Sequence, residues 1–391
     1  MKDLSSETAT SHVPTVTCNL KKPSMNKLAL LFSLVLFVSC KLQEKNEINK
    51  IAHFEQQVDS LRIEYKIPGI SVGISINDSI KLIKGFGLAN VEQKIPMTGN
   101  TPFRIASLTK PIFSTIFMRL TEEGKIDLNW KIKDYYPDHL GSCARILGYF
   151  NEEMPEYSFL LNQYHPERDD ILLKHHLSHT AENIPGTAYI YNGFLYGMLS
   201  DVVETATNQK FDKWVDSLVI KKQDLQNSAS SQLDESKKIM LEKIALPYKI
   251  DDKGNFERVD FPDPDLNAGA GLVFSANDLL LFDKAFDNNT IISKESKEKV
   301  LKPFELIDKS SSPYGYGWFI QKYNGYTLVW HYGLQPNAYS GLYIKVLEKD
   351  LTLVILANSQ NLSEPFDLGK GNVLNSKFAI AFLNEFLNEK K

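Results

Sequence analysis

The first part of the chain switches from helical to strand-like spacing of its apolar residues. Between residues 48 and 65 apolar residues recur every three or four positions, which predicts a helix. Residues 70–76 then alternate with period two, and residues 80–84 repeat that pattern after an Asn-Asp pair at 77–78. Because such a pair between two alternating runs favours a tight turn, a β-hairpin is predicted here.

Helical spacing dominates the middle of the chain, and strand-like spacing returns near its end. Residues 108–120 carry an apolar helical face, and residues 131–243 contain further helical segments separated by polar loops. Within them, residues 142–170 lack clear periodicity and are interpreted as an inserted loop. Strand-like runs fill much of residues 317–358, and residues 378–387 form a closing helix.

Strands at both ends of the chain with helices between them indicate an α/β (α+β) fold. Because an isolated hairpin is marginally stable, the N-terminal and C-terminal strands are expected to complete one antiparallel sheet flanked by helices. About residues 130–250 then form a mostly helical lobe inserted beside the sheet. We predict one domain over residues 51–390, with the active site in the cleft between lobe and sheet.

The first 40 residues have the pattern of an export signal. Basic residues precede an apolar run at 28–38, which is too short to span a membrane comfortably. A small residue and Cys40 follow, and this junction is similar to a bacterial lipoprotein cleavage box. We therefore expect Cys40 to carry a lipid that anchors the exported protein to a membrane of the cell envelope, with residues 41–50 as a tether.

Two features leave other interpretations of this segment open. Phe37 stands where the lipoprotein box usually has Leu, so an ordinary signal peptide with an incidental cysteine is the alternative. Residues 1–24 are polar and unpatterned, and Met25 is a second candidate start site. For both reasons residues 1–40 are excluded from the predicted fold.

Composition excludes several classes of protein. Of the 391 residues, 43% are apolar, which suffices for a sizeable core, and the formal net charge is -4. This balance does not favour nucleic-acid binding, which normally requires a basic patch or stripe. Cys18, Cys40 and Cys143 are too few and too scattered for a disulfide framework or a four-ligand zinc site. We expect a monomer that acts on a small molecule or a peptide.

Ser107 and Lys110 are the strongest candidates for chemistry. They lie three residues apart at the start of a predicted helix, so both side chains occupy one helix face. A buried amine can lose its proton near neutral pH and activate the serine as a nucleophile, while N–H groups at the helix start can stabilise an oxyanion. The spacing alone is weak evidence, because Ser296 and Lys299 share it.

The sequence around Ser107 resembles the serine β-lactamase and penicillin-binding-protein family, especially its class C and esterase-like branch. Further stretches resemble family landmarks in the same order over about residues 48–390, and several ordered motifs are far more specific than one. The resemblance implies a β-lactamase/transpeptidase-like fold and a serine hydrolase that forms an acyl-enzyme without a metal or organic cofactor. Its substrate would be a D-amino-acid peptide, an ester or a β-lactam. The matching stretches are residues 103–110, 123–128, 136–137, 173–180, 267–273, 275–279 and 314–318.

The same resemblance implies a functional tyrosine. The family carries a Tyr-x-Asn motif whose tyrosine helps to move the proton, and counting back from residues 202–204 places it at Tyr191, with Tyr189 as the alternative. A phenol near a lysine is expected to ionise more easily, because the positive charge favours the phenolate. Gly193 stands where the motif has Asn, so a side chain expected to bind a substrate amide is missing.

The third motif of the family resembles His331, Tyr332 and Gly333. The resemblance implies that His331 and Gly333 line the substrate site and that the N–H of Leu334 holds the oxyanion together with that of Ser107. Glycine also lets a backbone approach closely. Because histidine is a weaker cation than lysine at neutral pH, a substrate carboxylate would be held less firmly. This favours esterase or peptidase activity over efficient β-lactam hydrolysis. A histidine with a structural hydrogen bond is the alternative.

Three rival interpretations stay open on the sequence. Ser71 lies in a Gly-x-Ser-x-Gly stretch, but the following residues alternate like a strand, whereas a nucleophile elbow leads into a helix. The residues His175, His176 and His179 have metal-ligand spacing, but no Glu lies between them as in a zinc hydrolase helix, so packing histidines are expected. A non-catalytic protein with the same fold is the third, because Glu182 replaces a usual family glycine.

Overall fold

A computed structural model describes residues 25–251, 253–262 and 266–388 of the chain, with side chains from residue 45 onward. Much of the predicted export signal, including the lipidation site at Cys40, therefore lies outside the described residues and side chains. The chain divides into two compact units, Met1–Lys50 and Ile51–Lys391, and each is considered by itself. Within the described ranges, no helix combines the length and apolar character needed to cross a membrane.

Strands from both ends of the chain form one seven-stranded antiparallel sheet, so the predicted fold class is confirmed. The strands of the described residues are β1 (Gly69–Ile76), β2 (Ser79–Asn90), β3 (Ile95–Pro96), β4 (Phe103–Arg104), β5 (Tyr248–Ile250), β6 (Phe256–Arg258), β7 (Val273–Phe274), β8 (Phe319–Tyr323), β9 (Tyr326–Gln335), β10 (Tyr339–Val346) and β11 (Leu351–Ala357). Besides the seven-stranded sheet, β4 pairs with β7 and β5 with β6 in two small sheets. The order across the seven-stranded sheet is β3-β2-β1-β11-β10-β9-β8. The N-terminal hairpin therefore joins the C-terminal strands where β1 pairs with β11.

The predicted hairpin is present, and its turn has the expected chemistry. Asn77 and Asp78 connect β1 to β2 with φ angles of 50° and 58°. Positive φ at both central residues gives a turn whose twist matches that of the flanking strands, and Asn and Asp tolerate it better than most residues.

Helices cover both faces of the sheet. They are α1 (Met25–Glu64), α2 (Thr109–Glu122), α3 (Ile132–Tyr135), α4 (His139–Glu153), α5 (Leu173–Leu177), α6 (Gly193–Gly197), α7 (Leu199–Thr207), α8 (Phe211–Val215), α9 (Lys238–Leu241), α10 (Ala276–Asp287), α11 (Lys294–Val300) and α12 (Lys377–Leu387). On one face, Phe382 of α12 and Phe54 of α1 share an apolar core with Ile355 of β11. On the other, Leu280 of α10 packs in the core that contains Val354. The strands between are buried on both sides, which explains their continuous apolar runs.

The middle of the chain forms the short helices α3 to α9, and one sequence interpretation there is wrong. The sequence predicts an inserted loop over residues 142–170, but α4 occupies His139–Glu153 and a 3₁₀ turn follows at Pro155–Leu160. Of the side chains on α4, those of His139 and Cys143 are buried. Most of this helix faces solvent, so its sequence carries a weak apolar signal.

Candidate active site

Ser107 lies on a tight turn that leads from the short strand β4 into helix α2. The 3₁₀ turn Ala106–Leu108 carries it, and α2 continues from Thr109. Ala106 has a φ of 47°, a left-handed conformation that costs a non-glycine residue about 1–2 kcal/mol. Ser107 itself is half-buried, so its hydroxyl is reachable. The structure thus places Ser107 at the start of a helix, as predicted.

Lys110 meets Ser107 inside a dry site. Its Nζ lies 2.9 Å from Ser107 Oγ and 3.0 Å from the carbonyl oxygen of Gly269, to which it donates a hydrogen bond. The side chain is 1% exposed. Burial lowers the pKa of the Lys110 amine from 10.5 to about 7, because the charged form loses its hydration. A neutral amine in this position can accept the proton of the Ser107 hydroxyl.

An aromatic wall explains why the amine is dry. The rings of Tyr191 and Tyr196 have their centroids 5.3 Å and 5.4 Å from Lys110 Nζ. His179 packs on the same rings, with centroid distances of 4.4 Å to Tyr191 and 5.2 Å to Tyr196. Burial, and after it the charge of Lys110, holds the pKa of His179 well below its usual 6.5, so this histidine is neutral. The wall therefore excludes water without adding a competing cation.

The structure separates the two candidate tyrosines. The Tyr189 hydroxyl donates a hydrogen bond to the carbonyl oxygen of Gly369 at 3.1 Å. The Tyr191 hydroxyl is buried without a hydrogen bond of standard geometry. Burial raises its pKa well above 10, and the Ser107 side chain lowers it by less. The expectation that Tyr191 ionises more easily is therefore wrong, because desolvation raises its pKa more than the Ser107 side chain lowers it. Tyr191 lies beside Ser107 as a neutral phenol.

Asn192, to which the sequence alone assigns no role, holds the segment that carries Tyr191. Its backbone N–H donates to His179 Nδ1 at 3.2 Å, and its side-chain NH₂ donates to Leu160 O at 2.7 Å and to Glu182 Oε1 at 2.9 Å. Its Oδ1 accepts from the N–H of Leu195 at 3.0 Å, which caps α6. In the sequence, Glu182 stands out only as a departure from the family pattern. The sequence feature that indicates this set of hydrogen bonds is an Asn directly before the first turn of a helix.

His331 lies behind the site, where it has no contact with solvent. It is 0% exposed, its Nε2 lies 2.9 Å from the Tyr314 hydroxyl, and its Nδ1 lies 2.6 Å from the carbonyl oxygen of Tyr332. Burial and the nearby charge of Lys110 hold the pKa of His331 well below 6.5. The predicted direct contact between His331 and a substrate therefore needs correction. Both ring nitrogens already have partners, as in the alternative of a structural hydrogen bond.

Gly333 and Leu334 lie where strand β9 extends past its neighbour. In the described part of the sheet, β8 pairs with β9 only up to Trp330, so residues 331–335 extend beyond the end of β8. A Cβ atom on Gly333 would come within 2.6 Å of the carbonyl oxygen of Ile105, on the turn before Ser107. Glycine is thus required because two backbones meet closely. The adjacent Leu334 is half-buried, and the role of its N–H in holding an oxyanion stays a prediction.

The rival sites suggested by the sequence lie elsewhere or have other partners. Ser71 is buried in the middle of β1, which is not a strand-to-helix turn. His176 bonds through Nδ1 to Leu195 O at 2.7 Å and through Nε2 to the Tyr164 hydroxyl at 3.2 Å. His175 Nδ1 accepts from the N–H of Leu172 at 3.1 Å. The histidine rings therefore serve as separate packing contacts.

A cluster of acidic residues lies apart from this site. Carboxylate oxygens of Asp78, Asp287 and Asp350 come within 4.8 Å of one another, and the same three residues line a cavity of about 730 Å³. Asp287 is already paired with the buried Lys345 at 2.7 Å. The residues that line this cavity do not include Ser107, Lys110 or Tyr191.

Known sequences share the pattern found here. The sequence model of the family described as Beta-lactamase matches residues 51–375. Penicillin-binding protein 4* of Bacillus subtilis (strain 168) is 24% identical over 344 residues, which cover 81% of this chain and 73% of that protein.

Solved structures share the fold. The octameric penicillin-binding protein homologue from Pyrococcus abyssi superposes with a TM-score of 0.68 at 21% identity, over 85% of this chain and 77% of that one. The D-amino acid amidase from Ochrobactrum anthropi SV3, solved with D-phenylalanine, superposes with a TM-score of 0.63 at 16% identity, over 86% of this chain and 99% of that one. At such identities the likeness concerns the fold alone.

Proposed function

The chain belongs to the beta-lactamase family, as its motifs predicted, and on that basis we propose that it is a serine hydrolase that cleaves an ester or amide bond through an acyl-enzyme at Ser107. The observation that carries the proposal is the 2.9 Å contact between Lys110 Nζ and Ser107 Oγ. It supports the proposal because the amine is buried and its pKa is lowered to about 7, so a large fraction is neutral at physiological pH.

Each group around Ser107 then has a chemical task. Neutral Lys110 takes the hydroxyl proton while Ser107 Oγ bonds to the substrate carbonyl carbon, and the carbonyl oxygen becomes an oxyanion. The backbone N–H groups of Ser107 and Leu334 hold that oxyanion. Tyr191, a phenol beside Ser107, gives its proton to the leaving group and recovers one from Lys110. Water then attacks the acyl carbon while Lys110 accepts one of its protons. The bond between that carbon and Ser107 Oγ breaks, Lys110 returns the proton to Oγ, and the carboxylic acid leaves.

Rates should depend on pH through Lys110. We expect kcat/KM for an ester to rise with pH through a midpoint near 7 and then to level off, because below its pKa of about 7 the amine is protonated and cannot accept the serine proton. Initial rates from about pH 5 to pH 9 measure this, with enzyme pre-incubated at each pH and assayed at pH 8 to exclude denaturation. A profile without an inflection in this range contradicts a lysine base.

A pair of tyrosine variants tests the proton relay. Tyr191→Phe is expected to lower kcat by roughly 10²-fold, because proton transfer to the leaving group loses its donor while the ring packing is kept. Tyr189→Phe removes a hydroxyl that bonds to Gly369 O and should leave kcat within about twofold. Steady-state kinetics with a poor and a good leaving group decides the matter, since the Tyr191 defect should be larger with the poor one. Equal effects of both variants would refute the relay.

The charges at the site support esters and simple amides as substrates. A β-lactam or a peptide ending in D-alanine carries a carboxylate, which a cation must hold. His331 is neutral and buried, with both nitrogens engaged, so it offers no such cation. Substrates without a carboxylate do not need such a cation, so its absence does not weaken their binding at this site.

A substrate panel tests the proposed function. Purified protein is assayed with p-nitrophenyl acetate, a D-amino acid amide, nitrocefin and a D-Ala-D-Ala peptide, and a fluorophosphonate probe reports acylation. We expect the probe to label Ser107 and the ester or the amide to be hydrolysed faster than nitrocefin. Absence of labelling and of turnover with all four compounds would favour a non-catalytic protein that keeps the fold.

A further inference from the structure

Glu182 is a buried carboxyl to which the proposed reaction assigns no task. It is 4% exposed, and its Oε1 accepts a hydrogen bond from the side-chain NH₂ of Asn192 at 2.9 Å. Its Oε2 is buried and has no hydrogen-bond partner among the described residues. Burial raises the pKa of this carboxyl, and the hydrogen bond from Asn192 opposes that rise. Because a buried polar atom without a partner destabilises a fold, the presence of this carboxyl calls for an explanation beyond packing.

The loop that carries Glu182 is held in place by hydrogen bonds. The N–H of Asn183 donates to the carbonyl oxygen of Gln163 at 2.7 Å, and the side-chain amides of the same two residues bond at 3.0 Å. The N–H of Gly186 donates to the carbonyl oxygen of Thr180 at 2.8 Å, which closes the loop. The position of the carboxyl is therefore fixed by the backbone on both sides of it.

Asn192 depends on this carboxyl for one of its two side-chain acceptors. Its NH₂ donates to Glu182 and to the carbonyl oxygen of Leu160, and its Oδ1 accepts from the N–H of Leu195. Asn192 is only 3% exposed, so water does not readily replace an acceptor that is lost. Without the carboxyl, a buried N–H group would lack a partner, and this favours rotation of the amide out of its present position.

Tyr191 depends in turn on Asn192. The Tyr191 hydroxyl has no hydrogen bond of standard geometry to a described residue, so its ring and its backbone set its position beside Ser107. The ring lies against that of His179, with the centroids 4.4 Å apart. The N–H of Asn192, in the peptide bond that follows Tyr191, donates to Nδ1 of the same histidine at 3.2 Å. Displacement of Asn192 would therefore shift the phenol relative to Ser107.

We propose that Glu182 is a positioning residue of the reaction: through its hydrogen bond to Asn192 it fixes Tyr191 where the phenol protonates the leaving group. The inference rests on the proposed function and adds to it a residue that acts through other side chains. Proton transfer is sensitive to such positioning, because a displacement of about 1 Å at a catalytic group can lower a rate by as much as about 10²-fold.

Two acetate esters test the proposal, because they share one acetyl-enzyme and kcat/KM reports its formation. Phenyl acetate has a poor leaving group, and p-nitrophenyl acetate has a good one. Glu182→Met keeps a side chain of similar length but removes the acceptor, so it should lower the ratio of kcat/KM for phenyl acetate to that for p-nitrophenyl acetate by roughly 10-fold. Glu182→Gln keeps an oxygen that can accept from Asn192 and should hold this ratio within about threefold of wild type.

A double variant distinguishes positioning from a general structural role. When Tyr191→Phe has removed the phenol, the addition of Glu182→Met should lower the leaving-group ratio by no more than a further twofold or so, at about the same KM. Glu385→Met is the matched control. Glu385 is another buried carboxyl, 8% exposed, whose Oε2 lies 2.5 Å from Nδ1 of His53 where α12 meets α1. Its replacement should leave the leaving-group ratio unchanged.

The outcomes separate this inference from the function on which it rests. The inference is overturned by a ratio in Glu182→Met within about twofold of wild type, by an equally large loss in the Tyr191→Phe background, or by a Glu182→Gln variant as impaired as Glu182→Met. A Tyr191→Phe variant that keeps the wild-type ratio would overturn it as well. No Ser107-dependent hydrolysis of either ester by the wild-type protein would instead overturn the proposed function. Circular dichroism establishes that each variant is folded. If Glu182→Met does not fold, Glu182→Gly, with the residue usual in the family, decides in its place.

Discussion

Replacement of Ser107 by alanine is expected to lower kcat/KM for the best ester of the panel by on the order of 10⁴-fold and to abolish labelling by a fluorophosphonate. The reason is that the covalent route needs the hydroxyl, whereas the remaining N–H groups and the amine can only assist direct attack by water. Because the side chain is half-buried and loses a single oxygen, the fold should be retained. Stopped assays and intact-protein mass spectrometry measure both effects.

The chain supplies its own matched control for this substitution. Ser296 stands three residues before Lys299, as Ser107 stands before Lys110. Lys299, however, pairs with Glu295 at 3.0 Å and is mostly exposed. Ser296→Ala should therefore keep full activity and labelling. If Ser107→Ala retained more than about a tenth of the wild-type rate, another nucleophile would have to be sought.

Replacement of Lys110 by methionine is expected to lower kcat by roughly 10³-fold and, at the same time, to stabilise the fold at neutral pH. Methionine has a similar length and no charge to desolvate. The pKa of the amine is about 7 in the folded protein and near its usual 10.5 when unfolded. Between these values the unfolded chain binds more protons, so the buried amine destabilises the fold increasingly as pH falls from 10.5 to 7.

The pH dependence of this gain distinguishes charge burial from a simple packing change. The increase in the free energy of unfolding on Lys110→Met should be larger at pH 7 than at pH 9, by about 2 kcal/mol, as measured by urea titration at both values. Lys299→Met, at the exposed site with the same spacing, should alter neither activity nor stability in this way. A gain independent of pH would mean that the amine is not buried as a base with a lowered pKa.

The sequence predicted the elements whose information is local. The β-hairpin follows from period-two alternation and from two turn residues that tolerate positive φ, and both are visible in a dozen residues. The meeting of Ser107 and Lys110 follows from helical spacing alone, because residues three apart on a helix are neighbours whatever surrounds them.

Burial by distant residues could not be predicted in the same way. Burial holds the pKa of His331 well below 6.5, with the charge of Lys110 as a second cause, and its neighbours in sequence give no sign of either. The predicted direction of the Tyr191 pKa shift is wrong, because burial, which the sequence does not show, raises this pKa and is its largest cause. Such quantities depend on packing between elements.

The prediction of a loop in place of helix α4 is wrong for a third reason. Leu140, Cys143, Leu147 and Phe150 do follow helical spacing. Leu140 is exposed, however, and Leu147 and Phe150 are only partly buried, so polar residues surround the pattern. A helix that lies on the surface of a lobe carries the weakest apolar signal, although here it packs through Phe150 on Phe194 of α6.

The close approach of Gly333 to the carbonyl oxygen of Ile105 has a consequence for how this enzyme can change. Strand β9 and the turn that carries Ser107 are in close contact. A substitution that displaced the strand would therefore also displace Ser107 from its position beside Lys110. New acyl preferences are then expected to arise from residues that contact neither this turn nor Lys110, which leaves out Tyr196 of α6 because its ring packs on the amine. A mutant library aimed at altered selectivity is best confined to such residues.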